Sequence, residues 1–225
     1  EGGVKVMKIL SEAHTAVFGV PSPVKVTQNK ASGKAILVSG HNLSALKKLL
    51  EQTENLGINI YTHSEMLPAH GYPKLRKFSH LKGNIGKAWF DQTKLFNDFG
   101  GAILMTTNCI VPLKKSCTYK DRLFGYQIAG TDGIKRIEND DFSPLIQKAL
   151  SLPDISGFDS DEIITTGHHY KTILSMADEI LSAVKDGKIR KFFVIAGCDA
   201  PGKGRDYYRQ LAVSLPKDCV ILTSS

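Results

Sequence analysis

The sequence predicts an α/β protein made of two successive Rossmann-like parallel-sheet units, the second of them truncated. Three observations predict it. Short apolar runs with little alternation, such as Lys34-Ala-Ile-Leu-Val-Ser-Gly40 and Gly101-Ala-Ile-Leu-Met-Thr-Thr107, read as strands buried on both faces. Segments of helical periodicity follow several of these strands, and such alternation builds parallel sheets with right-handed crossovers. The series then begins again and stops after about three strands, too early for its sheet to be covered on both faces.

Taken in order, residues 4–17 carry apolar positions at helical spacing, and Gly19-Val-Pro-Ser-Pro23 ends that helix because proline cannot continue one. Residues 1–30 are therefore read as a leading helix and linker. The middle α/β domain, residues 31–155, opens with a strand over 34–38 and a helix over 43–56 that Gly57 closes as its C-cap. A strand follows over 58–62, and residues 68–86, rich in Gly, Pro, His and Lys, read as irregular. The pattern then predicts a helix over 87–97, a strand over 101–106, a break at Val111-Pro112, a strand over 121–128 and a helix over 142–150. Across 151–161 the composition turns to Pro, Ser, Gly and Asp, which marks the domain boundary. Residues 156–225 are then the first part of an incomplete second α/β domain. Its predicted strands are 162–166, 191–195 and 219–223, and its predicted helices 170–185 and 206–215.

At 225 residues and 42% apolar content the chain can bury substantial cores. No run approaches the length of a membrane span, and Glu1-Gly-Gly-Val4 has neither the charged nor the apolar region of a signal peptide. The expectation is a soluble cytoplasmic protein with no membrane partner. A net charge of +7 raises the question of an anionic partner, but the lysines are scattered as on ordinary solvated faces, which argues against nucleic acid. The four cysteines contain no C-x-x-C pair, so a zinc ribbon or thioredoxin-type site is not indicated. In a reducing compartment they are free thiols or metal ligands.

Functional groups of open parallel sheets sit just beyond the carboxyl ends of the strands. Four predicted strand ends carry such groups: His41, Glu65, Cys109 and Cys198. Each alone has an ordinary reading. A free cysteine is commonly a small buried hydrophobe, a histidine before a helix a cap, and a loop glutamate a solvated carboxylate. Together, imidazole, carboxylate and thiolate form the mixed N, O and S environment that iron accepts. Cys117 reads as a loop residue without a role and Cys219 as core. His63, His70, His80, His168 and His169 read as surface or cap residues. Gly197-Cys-Asp-Ala-Pro-Gly-Lys-Gly204 matches G-x-x-x-x-G-K between strand and helix, the form of a phosphate loop. Gly204 stands where such a loop needs Ser or Thr, and Pro201 removes an N–H donor.

At these residues the chain resembles the hybrid cluster protein family, also called prismane proteins and hydroxylamine reductases. The matching segments are Gly19-Val-Pro-Ser-Pro-Val24, Lys34-Ala-Ile-Leu-Val-Ser-Gly-His-Asn-Leu43, Tyr61-Thr-His-Ser-Glu-Met-Leu-Pro-Ala-His-Gly-Tyr-Pro73, Thr106-Thr-Asn-Cys-Ile-Val-Pro112, Tyr119-Lys-Asp-Arg122 and Gly197-Cys-Asp-Ala-Pro-Gly-Lys-Gly-Arg-Asp-Tyr-Tyr208. The resemblance implies an iron-sulfur-oxygen hybrid cluster ligated here by His41, Glu65, Cys109 and Cys198, with Cys198 the catalytic cysteine that can carry a persulfide. It implies reduction of small nitrogen-oxide species such as hydroxylamine or nitric oxide, with electrons from a donor protein. It further implies a cysteine-rich N-terminal domain with a second iron-sulfur cluster, and two more cysteines and a glutamate after Ser225. On that reading the chain is an internal fragment, inactive by itself. Nickel carbon monoxide dehydrogenases resemble it in architecture, but the 106–112 and 197–208 segments fit the hybrid cluster pattern better. From other classes, a nucleotide-binding module using Gly197 to Gly204 and a binding protein without chemistry are the competing expectations.

Overall fold

The computed structural model describes residues 2–86, 88–107 and 109–223. In chain order the elements are α1 (Gly2–Phe18), β1 (Val24–Thr27), β2 (Lys34–Gly40), α2 (Leu43–Gln52), β3 (Ile58–His63), α3 (Pro73–Arg76), β4 (Leu81–Ile85), α4 (Gln92–Phe99), β5 (Ala102–Thr106), β6 (Leu123–Tyr126), β7 (Lys135–Arg136), α5 (Ser143–Ser151), β8 (Ile163–Thr166), α6 (Tyr170–Ser175), α7 (Ala177–Lys185), β9 (Lys191–Ile195), α8 (Tyr207–Ser214) and β10 (Cys219–Thr223). A 3₁₀ segment over Ser64–Gly71 precedes α3, and shorter 3₁₀ turns precede α4 and β6. The α/β class is thus observed, in two compact units, residues 1–169 and 170–225.

The first unit is built on a six-stranded, wholly parallel sheet in the order β4-β3-β2-β5-β6-β7. Its central strands are apolar on both faces for a simple reason: alternate residues serve two cores. Ile36, Val38, Ile60 and Leu104 pack with Ala45, Leu46, Leu49 and Leu50 of α2 and with Leu145 and Ala149 of α5. Leu37, Tyr61, Ile103 and Met105 face the other way, onto Phe96 and Phe99 of α4. Burial of this kind, about 25 cal/mol for each Å² of apolar surface, makes the register hard to slip, because one step would exchange the two faces.

Several boundaries differ from those the sequence suggests. The segment 163–166 does not open the second sheet. It pairs antiparallel with β1, a strand the sequence pattern had hidden inside the linker, through the register Val24↔Thr166 to Thr27↔Ile163. Residues 155 and 158 bridge to Gly33 and Lys30. The proline- and glycine-rich stretch is therefore a strap over the first unit, and the division falls at 169/170. Residues 68–86 are not wholly irregular, since β4 extends the sheet beside β3. The helix expected over 43–56 ends at Gln52, where the Thr53 hydroxyl donates to Leu49 O, and Gly57 takes φ 69° in the turn beyond. The helix expected over 87–97 begins as a 3₁₀ turn at Trp89 and continues to Phe99; Lys87 lies outside the described residues.

In the second unit β9 and β10 form a parallel pair. The helix expected over 170–185 is interrupted at Met176, the N-cap of α7. Apolar side chains stay open on both strands: Phe192 is 45% and Val194 72% exposed on β9, and Leu222 is 38% exposed on β10.

Candidate metal centre

The chain leaves β2 and turns to β3 and β4 on one side, then returns to β5, β6 and β7 on the other. The carboxyl ends of β2 and β5 form a topological switch point, the place where open α/β sheets bind ligands. Five neighbouring strands end there in left-handed residues: Gly40 (φ 105°), Ser64 (50°), Gly86 (85°), Thr107 (68°) and Gln127 (53°). Cys109 joins them at 64°. Non-glycine residues in this region carry strain that persists only where the surroundings enforce it, and such residues cluster at functional sites.

His41, Glu65 and Cys109 meet at this crown. One ligand atom from each, imidazole nitrogen, carboxylate oxygen and sulfur, lies within 4.8 Å of the others. His41 Nε2 contacts Glu65 Oε2, and Cys109 Sγ lies 3.7 Å from the same oxygen. Thr107 fixes the imidazole. Its single hydroxyl proton goes to Thr106 O, so its oxygen accepts from His41 N at 3.1 Å and from His41 Nδ1 at 3.0 Å. Nδ1 therefore carries the ring proton, and Nε2 turns a lone pair toward the carboxylate. Two acceptors in contact repel unless a cation or a proton stands between them. With a thiol beside them, the donor set fits iron, and a hydrogen-bonded Nδ1–H is the usual support of a ligating imidazole.

Several supporting residues escaped the sequence reading. Gly40 lets β2 end against β5, since a Cβ there would fall 1.4 Å from Thr106 O. Asn42 caps α2 through Ala45 N and donates to Gln127 Oε1, tying the His41 turn to the end of β6. Gln92 is 1% exposed; its Nε2 donates to Cys109 O at 2.9 Å and its Oε1 accepts from Val111 N at 3.0 Å. It holds the cysteine loop at both ends. Thr107 had its closeness to Cys109 as a sequence signal, whereas Gln92, 17 positions away, had none; Asn108 lies outside the described residues.

Two histidines read as surface residues are in fact core. His63 ends β3 with its Nδ1 2.8 Å from Ser39 Oγ, and His70 has its Nε2 2.9 Å from Thr62 Oγ1. Burial pushes both pKa values down to about 4, so both rings are neutral near neutral pH. Cys117, read as a loop residue, is buried too, in the core beside Tyr119.

Cys198 belongs to the second unit, exposed just beyond β9. The adjoining Asp199 overturns the phosphate-loop reading. Its carboxylate accepts from Tyr208 N and Arg209 N, both at 2.9 Å, so the start of α8 already holds an anion supplied by the chain. The Tyr208 ring also closes over the turn, where a Cβ on Gly197 would lie 2.5 Å from its Oη.

The chain is similar to several known proteins. A hydroxylamine reductase of Moorella thermoacetica is 51% identical over 220 residues, covering 98% of this chain and 51% of that protein. One from Methanothermobacter thermautotrophicus is 48% identical over 223 residues, covering 99% and 52%. A third, from Geobacter metallireducens, is 49% identical, covering 98% and 40%. The chain thus spans about half the length, or less, of the curated relatives it matches. No helix among the described residues is long and apolar enough to cross a membrane. The model of the Prismane/CO dehydrogenase family matches residues 1–225, and the chain belongs to that family.

Proposed function

We propose that the full-length protein carrying this chain is a hydroxylamine reductase-type oxidoreductase, with His41, Glu65, Cys109 and Cys198 as ligands of an iron-sulfur-oxygen hybrid cluster. Prismane proteins are iron-sulfur cluster proteins; the particular cluster, these ligands and a second iron-sulfur cluster in an N-terminal domain are our reading. The observation that carries it is the convergence of imidazole, carboxylate and thiol at the switch point of a parallel sheet.

When bound, the cluster supplies stored electrons and Lewis acidity toward an N–O bond. Hydroxylamine takes two electrons from a donor protein and two protons, its N–O bond breaks, and ammonia and water leave. The chain's own residues hold and orient. Thr107 keeps His41 Nδ1 protonated and so reserves Nε2 for ligation. Gln92 fixes the Cys109 loop, and Glu65 supplies a charged oxygen beside the thiol. Cys198 is the catalytic cysteine in this reading, and Asp199 sets the geometry of the turn that carries it.

The test is the iron and acid-labile sulfide content of the anaerobically purified full-length protein, with hydroxylamine-dependent oxidation of a reduced dye alongside. Several irons per chain are expected, with losses in His41→Ala, Glu65→Gln, Cys109→Ala and Cys198→Ala. Unchanged iron in all four variants would refute the ligand set. Stoichiometric nickel with carbon monoxide oxidation would move the protein to the other branch of its family.

A further inference from the structure

His63 is 1% exposed, yet its two ring nitrogens are treated differently. Nδ1 pairs with Ser39 Oγ, whereas Nε2 has no hydrogen-bond partner among the described residues. An unpaired buried ring nitrogen is costly and calls for a specific explanation. The ring lines two spaces. One is a cavity of 10 Å³ beside Ser39, Glu65, Trp89 and Cys109, adjoining the metal centre. The other is an open cleft of 630 Å³ bounded in part by Ile85, Gly86, Leu95 and Phe99. Gly86 matters here because it has no side chain. A Cβ at that position would stand 3.2 Å from His63 Nε2 and 3.1 Å from Leu95 Cδ2, filling the gap between ring and cleft wall.

The cleft also restricts what it can take. Lys30 and Lys94 are matched by Asp91 and Asp98, so the lining has no net charge, and Ile85, Leu95, Phe99 and Phe158 make much of the rest apolar. An ion would lose hydration there for little return. A small neutral molecule with a donor and an acceptor would lose less and would satisfy the ring.

We propose that His63 Nε2 is a binding station for a small uncharged hydrogen-bonding molecule, of hydroxylamine's size and polarity, between the cleft and the His41–Glu65–Cys109 centre. This rests on the functional reading above and adds to it a residue that receives the substrate and a side from which it arrives. His63 acts as a hydrogen-bonding group and transfers no proton in this role.

The experiment follows association of hydroxylamine and of nitric oxide with the reduced, iron-loaded full-length protein by stopped-flow absorbance. Nitric oxide is similar in size but a poor hydrogen-bond partner. Leu95→Trp, which fills the cleft and keeps the His63 imidazole, is expected to slow both probes by about 10-fold or more by displacing the space they cross. His63→Leu is expected to weaken hydroxylamine by about 10-fold, the loss of one hydrogen bond, and to leave nitric oxide unchanged. His63→Gln should restore part of the difference. Unchanged rates in Leu95→Trp overturn the cleft as the approach, and equal changes for both probes in His63→Leu reduce His63 to a structural role. The functional reading fails separately, if the wild-type protein holds iron and takes up no hydroxylamine. Iron content of each variant identifies any that misfolds, and Leu95→Trp and His63→Leu test the proposal at independent positions.

Discussion

Two strand ends of this molecule solve the same problem with different residues. After β5 the chain reverses through Thr107 and Cys109, both left-handed at φ 68° and 64°, and both bearing side chains that meet His41 or Glu65. After β9 it reverses through Gly202 and Gly204, at 123° and 75°, where left-handed backbone is nearly free of strain. At the second turn the stabilising group is Asp199, which caps α8 and asks nothing unusual of the backbone. Strain is accepted where the left-handed residue itself bears a side chain at the crown of the sheet and avoided where glycines make the turn. The deeply packed sheet beneath β5 is what can enforce it, since Met105 and Thr106 are fully buried.

The largest way to separate the two units is pH. All seven histidines lie in residues 1–169 and none in 170–225. His70 has a folded pKa of about 4 against the ordinary 6.5 of a histidine side chain. The unfolded state therefore binds the extra proton between those values, and stability falls as pH drops from 6.5 toward 4, by about 3 kcal/mol for this group. Urea unfolding at pH 7 and pH 5, with hydrogen exchange to assign the unit, should show the loss in the first unit, and His70→Gln should flatten it. An equal loss in both units would break the comparison.

Next comes Thr107→Val, which keeps the branched shape and removes the acceptor for His41. Iron affinity of the full-length protein is expected to fall between about 10- and 100-fold, with Thr107→Ser restoring it, as for other supports of a ligating histidine. Retention of iron by the valine variant would mean that the hydroxyl is only structural. Asp199→Ala should cost about 1 kcal/mol of stability in the second unit, read by denaturant midpoint, with Asp199→Asn losing less. The smallest effect isolates the backbone. Gly204 has open space where a Cβ would go, so Gly204→Ala should cost only the left-handed penalty, about 1 kcal/mol. That value is the measure of what Thr107 and Cys109 carry.

Much of this was legible in the sequence because it depends on local pattern. The central strands declare themselves as apolar runs, since a parallel sheet covered on both sides leaves no polar face to alternate with. His41, Glu65 and Cys109 could be named because their segments end predicted strands, and strand ends are where such sheets place their chemistry. Other features gave no local sign. The pairing of β1 with β8 joins segments more than a hundred residues apart, and neither is apolar enough to read as core. His63 and His70 read as surface residues because a polar side chain in a polar stretch looks solvated until strands and a 3₁₀ turn close over it. The strain at Thr107 and the tautomer of His41 depend on a hydroxyl and a ring that are 66 positions apart in the chain.

By itself the sequence determined the α/β class, the family and the donors offered to a metal, because periodicity and residue chemistry are properties of short stretches. Only the tertiary structure decided where the units divide, which nitrogen of His41 faces Glu65, and that one buried nitrogen of His63 has no hydrogen-bond partner among the described residues. Those depend on distances between residues remote in the chain, and the packed sheet is what sets them.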